Sequence, residues 1–399
     1  MALGLWRGSA AACLVAAFGL SAGFSTTVQA DDFDWPRMLR IATPGTASGS
    51  FASTNGWAPV LQNQTGMTVR VVPEDSEPTR YTRLTQRNEF EVASVSSAEV
   101  RFQMEGIDGY AAMPPAPLRI IWHHNDTPWG FVVRGDSDIE SIYDLKREGV
   151  RVSLSSQSPP MMRTVREALP KFLGMTEEEA AEKWTFVPAG SYVENCRSVT
   201  DGRADVAWCA PISAVLSEME GHPRGIRWLD QPLDDTEGWE GWLSVRPAHV
   251  PAEITMGVET ALGTHGLVSN FLYWTTPDQD EDLIYNLAKW FNEQHDSYKG
   301  THALAARMSL EHFRNYLDGS PLPVHAGTVR YLREIGAWTE EDDEWNEAAK
   351  ENVDAWMEAR RQGLEAARAA GVRPHWEDPD FQAIMREHTE GLPIFRTRL

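Results

Sequence analysis

The chain has 399 residues, with 58 acidic side chains against 36 Lys and Arg and a formal charge of −22. Acidity of that size repels nucleic acid and anionic membrane surfaces, so neither is expected as a partner. The charge is spread along the chain, with clusters near Asp278–Asp282 and Glu340–Glu344, and marks the whole surface rather than a tail.

The first thirty residues read as a secretory signal peptide. Arg7 is their only charge, a long Ala, Leu, Val, Phe and Gly run follows, and Val28-Gln29-Ala30 offers a small-x-small cleavage site before Asp31. A membrane anchor is the alternative, but the apolar run falls short of the ~20 residues a span needs. Export through the inner membrane to the periplasm is expected. Cys13 lies inside the leader, with too little apolar sequence before it to favour lipid attachment. The remaining ~370 residues suit about two domains.

From residue 39 the chain alternates strands and helices. Leu39–Ala42 reads as a strand, followed by the polar turn TPGTASGSF (43–51) and a helix containing Trp57, Val60 and Leu61 that Thr65-Gly66 closes. Thr68–Val72 is a second strand, about Glu77–Gln86 a helix, Val92–Val95 a strand and Ser97–Glu105 a helix. Such alternation predicts a mostly parallel sheet with helices on its faces. Residues 118–134 read as two strands joined by a loop, and Asp136–Lys146 as a surface turn and short helix. Val150–Leu154 then opens a second round, with SSQSPPMM (155–162) as its polar turn.

Within that round, SYVENCRSVTDGRADVAWCAP (191–211) resembles SEPTRYTRLTQRNEFEVASVSSAEV (76–100). Each follows a Val-Pro lead-in, runs from Ser through a polar helical stretch to a charged turn, and enters a short strand. GFVVRGDSD (130–138) and WLSVRPAHV (242–250) are both strand-like and contain Val-Arg. Two such strands side by side would form a hinge. The expected plan is therefore residues 31–133 in lobe 1, 134–245 in lobe 2, and 246–399 returning to lobe 1 with a C-terminal helical extension packed on its outside.

No G-x-S-x-G, G-x-x-x-x-G-K-[ST] or H-E-x-x-H motif is present, and no zinc-ligand spacing. No catalytic set, metal site or cofactor is expected. His123 and His124 are adjacent and would point to opposite faces of a strand; a loop or strand-end position suits them best. Cys196 and Cys209 read as two small buried residues, one on a helix and one on the next strand, with a disulfide as the alternative.

The two polar turns are the strongest functional signal. Each leaves the C-terminal end of a strand and opens a helix, where open α/β sheets bind ligands and where a helix N-terminus favours an anion. Aromatic residues near them are Phe51, Trp129, Trp208, Trp239 and Trp242, one or two of which would face a ligand's flat or apolar part.

Together the leader, the first turn ending in Phe51, DSDIESIYDLKREGVRVSL, GRADVAW and PLPVHAGTVRYLREIGAW resemble the TAXI family, the TRAP-associated extracytoplasmic immunogenic solute-binding proteins of bacterial transporters. The likeness spans roughly 39–338. Its most specific part, 321–336, is similar to the family's P-x-H-x-G-A-x-R-Y-Y-x-E-x-G ending. The resemblance implies an α/β, type II periplasmic-binding-protein-like fold: two lobes with mixed, mostly parallel sheets joined by two crossing strands, plus C-terminal helices. It implies capture of a small organic acid or amino acid between the lobes, and delivery to membrane subunits of a TRAP transporter. The site it implies comprises Ser48, Gly49 and Phe51, the strand end Ser96-Ser97, the second turn Ser155, Ser156, Gln157 and Ser158, and the strand end Trp208-Cys209; Thr46 of the first turn and Trp129 of the aromatic cluster are expected beside them. Phe51 stands where the family usually has Tyr, and SSQSPPMM replaces a Gly-rich turn, which suits a more apolar ligand. A monomer is expected. The other readings are a periplasmic enzyme on the same scaffold, with Glu194, Asp205 or His124 as acid, base or nucleophile, and a module that presents ligand to a sensor.

Overall fold

The structure is a computed structural model and describes residues 33–397. The expected leader and Cys13 lie outside the described residues.

The first round folds as β1 (Met38–Thr43), α1 (Gly49–Thr65), β2 (Thr68–Pro73), α2 (Glu77–Thr85), β3 (Val92–Ser96) and α3 (Ser97–Glu105). Then comes β4 (Arg119–Arg134). The second round is β5 (Val150–Ser155), α4 (Pro159–Arg163), a π-turn over Thr164–Ala168, α5 (Leu169–Phe172), α6 (Glu177–Lys183), β6 (Trp184–Ala189), α7 (Tyr192–Arg197), β7 (Val206–Cys209) and α8 (Ala214–Glu220). It is followed by β8 (Ile226–Leu229), α9 (Thr236–Val245), β9 (Val250–Glu253) and β10 (His265–Thr275). Helices α10 (Glu281–Glu293), α11 (His295–Tyr298), α12 (Leu310–Leu317), α13 (Ala326–Glu334), α14 (Glu340–Ala369) and α15 (Pro379–Thr389) complete the chain.

The likeness between the rounds is structural. In the first, β1 pairs in parallel with β2 and β3; in the second, β5 pairs in parallel with β6 and β7. Each set is then joined by one antiparallel strand from elsewhere in the chain. The orders are β2-β1-β3-β10-β4 and β6-β5-β7-β4-β8. A serine N-cap opens three matching helices in each round: Ser48, Ser76 and Ser96 in the first, Ser158, Ser191 and Ser213 in the second. All of these but Ser213, which pairs with the Tyr192 hydroxyl, accept a first-turn N–H, a bond worth about 1 kcal/mol over alanine. This repeated order, with β4 and β10 crossing between the two sheets, is the α/β type II periplasmic-binding-protein-like arrangement. The described residues from Trp35 onward form one compact unit, and each sheet with its helices is called a lobe below.

Two sequence expectations are corrected. Residues 119–134 are one strand, not two with a loop. The polar Asn125-Asp126 stretch that looked like a turn stays paired with β10, with Asn125 opposite Phe271 and Asp126 opposite Asn270, and the register shifts next to it, between Phe271 and Leu272. Its side chains are paired within the fold: Thr127 Oγ1 donates to Asn125 Oδ1 at 2.5 Å, and Asp126 accepts from Arg307, Asn270 and His123. Residues 242–245, expected in a crossing strand, are the last turn of α9. Asp235 caps that helix by accepting from Gly238 N at 2.9 Å, and Trp239, Trp242 and Val245, spaced by three, bury one face. The second crossing strand is β10. Before reaching it, the chain stays against the second sheet, where Ile254, Val258 and Ala261 pack with Val132 and Trp228.

His123 and His124 also sit inside β4, both fully buried, rather than in a loop or at a strand end. They do point apart: His123 meets Asp126 and the Arg307 carbonyl, while His124 stacks on Tyr273 and pairs with Ser94 Oγ at 2.8 Å. Cys196 and Cys209 form a disulfide that ties α7 to β7, the alternative to the preferred reading of two free buried thiols. Their Cα atoms are 6.0 Å apart, within bridging distance.

Candidate functional site

Between the lobes lies a cavity of about 60 Å³. It is small beside the roughly 300–1,000 Å³ of drug-sized ligand pockets. Lobe 1 contributes the β1–α1 turn (Pro44, Ser48, Gly49, Ser50), the start of α2 and its lead-in (Asp75, Glu77, Arg80), and Glu99 of α3. Thr127 and Trp129 of β4 and Phe271 of β10 form its floor. Lobe 2 contributes Gln157 and Met161 from the second polar turn, Tyr192 from α7 and Ser213 before α8.

The two polar turns thus meet at one place. Ser48 caps α1 by accepting from Phe51 N at 3.1 Å, which leaves Gly49 and Ser50 as the first residues of a 17-residue helix at the cavity wall. Gly49 packs closely there: a Cβ would lie 2.8 Å from the Leu304 side chain and 3.1 Å from that of Ile212, which would have to shift. Across the cavity, Ser158 caps α4 and its Oγ donates to Glu77 Oε1 at 2.6 Å. Turned to satisfy its neighbours, the Gln157 amide oxygen accepts from Ser155 Oγ and Tyr192 N, both at 3.1 Å. Further links between the lobes are Arg163 with Asp108 at 3.1 Å and Arg101 donating to the Val245 carbonyl at 3.2 Å.

Of the residues expected at the site, Ser48, Gly49, Trp129 and Gln157 line the cavity. Ser158 closes it through Glu77, and Ser155 supports Gln157. Trp208 lies directly behind Trp129, stacked on it with ring centroids 4.2 Å apart. The others stand outside the lining. Thr46 borders an adjoining hollow that shares Ser48, Asp75 and Tyr192 with the cavity, and Phe51 is half-buried further along α1. Ser96 caps α3 and bonds Ser269 Oγ at 2.6 Å. Ser97 is buried, Ser156 Oγ donates to the Ala189 carbonyl at 2.8 Å, and Cys209 is held in the disulfide. Trp239 and Trp242 belong to the lobe 2 core against Phe172.

Sequence reading missed the carboxylates. Asp75, Glu77 and Glu99 all line the cavity, with Arg80 as the one cation among them. In SEPT, Glu77 looks like an ordinary first-turn acid favoured by the helix dipole, and nothing local shows that its carboxyl is only 6% exposed. Burial and the nearby Glu99 carboxylate push the Glu77 carboxyl well above its usual range, against the pull of Arg80 and the Ser158 hydroxyl. Its second oxygen, Oε2, is buried without a hydrogen-bond partner, and so is Trp129 Nε1. Arg80 Nη1 donates to the Glu74 carbonyl at 2.6 Å and Nη2 reaches Glu99 at 3.4 Å, while its buried Nε has no partner. Behind this group lies Arg246, buried at the end of α9, where burial brings its guanidinium down to about 9. It donates to the Pro160 carbonyl and, at 2.5 Å, to Thr164 Oγ1 in the π-turn.

None of the three residues named for an enzyme, Glu194, Asp205 and His124, lines the cavity. Glu194 pairs with Arg203 at the surface and Asp205 with Arg151. Among the described residues, no group of three or more His, Cys, Asp or Glu is placed to hold a metal ion, and no helix is long and apolar enough to cross a membrane.

A family model described as the NMT1-like family matches residues 41–336, more than half of the chain. The chain belongs to the NMT1-like family. The match spans both lobes of this NMT1-like protein and stops before α14 and α15. No curated protein sequence matches it. Among solved structures it is similar to a binding protein component of an ABC phosphonate transporter from Pseudomonas aeruginosa, at 12% identity over 83% of this chain and all of the other, with a TM-score of 0.47. It is also similar to PhnD1 from Prochlorococcus marinus in complex with methylphosphonate, at 11% identity over 76% of this chain and all of the other, TM-score 0.45. A third is the aliphatic sulphonate binding protein from Escherichia coli, at 12% identity over 75% and 85% of the two chains, TM-score 0.38.

Proposed function

We propose that this NMT1-like protein is an extracytoplasmic solute-binding protein that captures a small organic acid or amino acid between its lobes and delivers it to the membrane subunits of a TRAP-type transporter. The observation that carries the reading is the meeting of the two equivalent polar turns, 43–51 and 155–162, on opposite walls of one cavity. A ligand carboxylate fits at the start of α1, where Gly49 and Ser50 offer first-turn N–H groups at the positive end of the helix dipole. The unpartnered Trp129 Nε1–H is a further donor, and the Trp129 and Phe271 rings offer apolar faces. Strands β4 and β10, the two connections crossing between the sheets, are the natural axis for opening and closing.

The enzyme reading has less support, because its named residues lie away from the cavity. Thermal unfolding of the purified protein against a panel of organic acids and amino acids tests the proposal: a ligand at ~100 Kd adds about 2.7 kcal/mol of stability. Uniform absence of any shift across the panel speaks against capture.

A further inference from the structure

Resting on the reading that the lobes turn about β4 and β10, and on no particular solute, we infer that the C-terminal tail, residues 391–397, is a strap. It ties lobe 1 to the end of α9 in lobe 2 and limits how far the lobes part. The tail lies beyond the family match, which stops at residue 336.

Its near end is fixed to lobe 1. The Pro393 carbonyl accepts from Trp356 Nε1 at 2.8 Å and from Asn352 Nδ2 at 3.4 Å, both on α14. Phe395 is only 1% exposed, beside the Trp356 ring, and its N–H donates to Glu105 Oε1 on α3 at 2.8 Å. Helix α14 is itself held to α3 by Arg360, which donates to the Gln103 carbonyl at 2.6 Å. Chain ends without such ties are usually poorly ordered.

The far end reaches lobe 2. Thr397 N–H donates to the Pro247 carbonyl at 3.2 Å. Pro247 follows two residues that belong to lobe 2. Val245 lies in its core with Trp242 and Phe172, and Arg246 donates to the Pro160 carbonyl and Thr164 Oγ1. Lobe 1 grips the same place a second time, because Arg101 Nη1 on α3 donates to the Val245 carbonyl at 3.2 Å. Glu105 Oε1 aims that arginine by accepting from its Nε at 2.9 Å, and the same oxygen receives the Phe395 N–H. One carboxylate oxygen thus gathers the tail and the arginine that hold the Val245 and Pro247 carbonyls.

The strap is short. Two residues of extended chain span at most about 7 Å, so with Phe395 fixed Thr397 cannot follow the end of α9 as it moves off. Parting the lobes breaks this link and the Arg101 link together.

Spin labels at Asn63→Cys in α1 and Glu178→Cys in α6, both exposed, report the distance between the lobes. They are compared in the full chain, in a chain ending at Glu390, and in Thr397→Pro, which removes the one N–H and leaves Phe395 in place. Hydrogen exchange of segment 242–250 is followed in the same three proteins. Loss of one hydrogen bond corresponds to about a fivefold shift. The longer-distance population is therefore expected to rise about fivefold in both altered chains, with exchange of 242–250 faster by a similar factor. A longer-distance population of the same size in all three chains overturns the strap while leaving lobe movement and solute capture standing. Faster exchange without a longer distance overturns it as well. A single narrow distance in all three overturns the strap and counts against lobe movement too. The Thr397→Pro comparison stands even if the shortened chain fails to fold.

Discussion

Ser158 Oγ donates a 2.6 Å hydrogen bond to Glu77 Oε1 and so joins the N-cap of α4 in one lobe to the first turn of α2 in the other. One hydroxyl thereby performs two tasks, since it also accepts from Met161 N at 3.3 Å to start its own helix. The contact is buried on both sides and sits at the edge of the cavity. It ties the two sheets together at an acid that lines the cavity.

Removing this hydroxyl in Ser158→Ala should loosen closure. A net hydrogen bond is worth about 1 kcal/mol, which corresponds to roughly a fivefold loss of solute affinity. A wider solution envelope by small-angle scattering should accompany it. Unchanged affinity and unchanged dimensions would show that the lobes close without this contact.

The pH dependence follows from the direction of the Glu77 shift. Its carboxyl is raised in the folded protein, so the fold binds a proton there that the unfolded chain releases more readily. The empty protein is therefore favoured at and below the ordinary carboxylate range, and this advantage is lost as pH rises toward the folded value. Glu77→Gln should match wild-type stability near pH 4 and exceed it progressively toward pH 8. Urea unfolding of the two proteins across that range measures the difference. Asp126 acts in the opposite sense: His123 and Arg307 hold its carboxyl well below the usual range, so its contribution is present above that range and lost only in strong acid.

The Cys196–Cys209 bridge closes a short loop, with a sequence separation of 13. Chain-entropy arguments assign a loop of that size about 3 kcal/mol. Reduction, or Cys196→Ser with Cys209→Ser, should lower the urea midpoint by a corresponding amount. Because Cys209 lies outside the cavity lining, solute affinity should change little once the protein is folded.

Arg360 joins the C-terminal helices to the end of α3 and the turn that follows it. Its guanidinium, fully buried on α14, donates to the carbonyls of Gln103 at 2.6 Å and Tyr110 at 2.6 Å, with Met104 and Met113 nearby. These groups end α3, whose first half carries Glu99. Gly106 must be glycine there: φ is +68°, and a Cβ would lie 2.4 Å from Arg360 Nε. Arg360→Met removes the guanidinium donor from the buried Gln103 carbonyl, while the Tyr110 carbonyl keeps Met113 N at 3.1 Å, and should cost about 1–3 kcal/mol by urea unfolding. A loss below about 0.5 kcal/mol would mean that water takes over these carbonyls.

The repeat was legible because its signals are local. Ser-rich turns, helix-closing Gly66 and short apolar strands each declare themselves within ten residues, and the parallel trios β2-β1-β3 and β6-β5-β7 follow from their order. Of the crossing strands only the Gly130–Arg134 end of β4 was legible, because the extent of one and the identity of the other depend on distant partners. Asn125 and Asp126 read as a turn until β10 and Arg307 are seen beside them, and Trp242–Val245 reads as a strand unless Trp239 is counted as part of the same three-residue spacing. The site divided in the same way. The helix heads Ser48, Gly49 and Ser158 were visible as caps. The roles of Asp75, Glu77 and Glu99 depend on how the lobes face each other, which short-range sequence pattern does not encode.

Native mass spectrometry of the purified chain tests the central claim most directly, the claim that a small solute is held between the lobes. The account predicts a stoichiometric low-mass adduct that is released on unfolding, rebinds on refolding, and is lost in Trp129→Ala and Glu77→Gln, yet persists in Arg307→Ala, which alters the separate surface hollow around Asp126. An adduct that survives both cavity substitutions, or is abolished by Arg307→Ala alone, would contradict it.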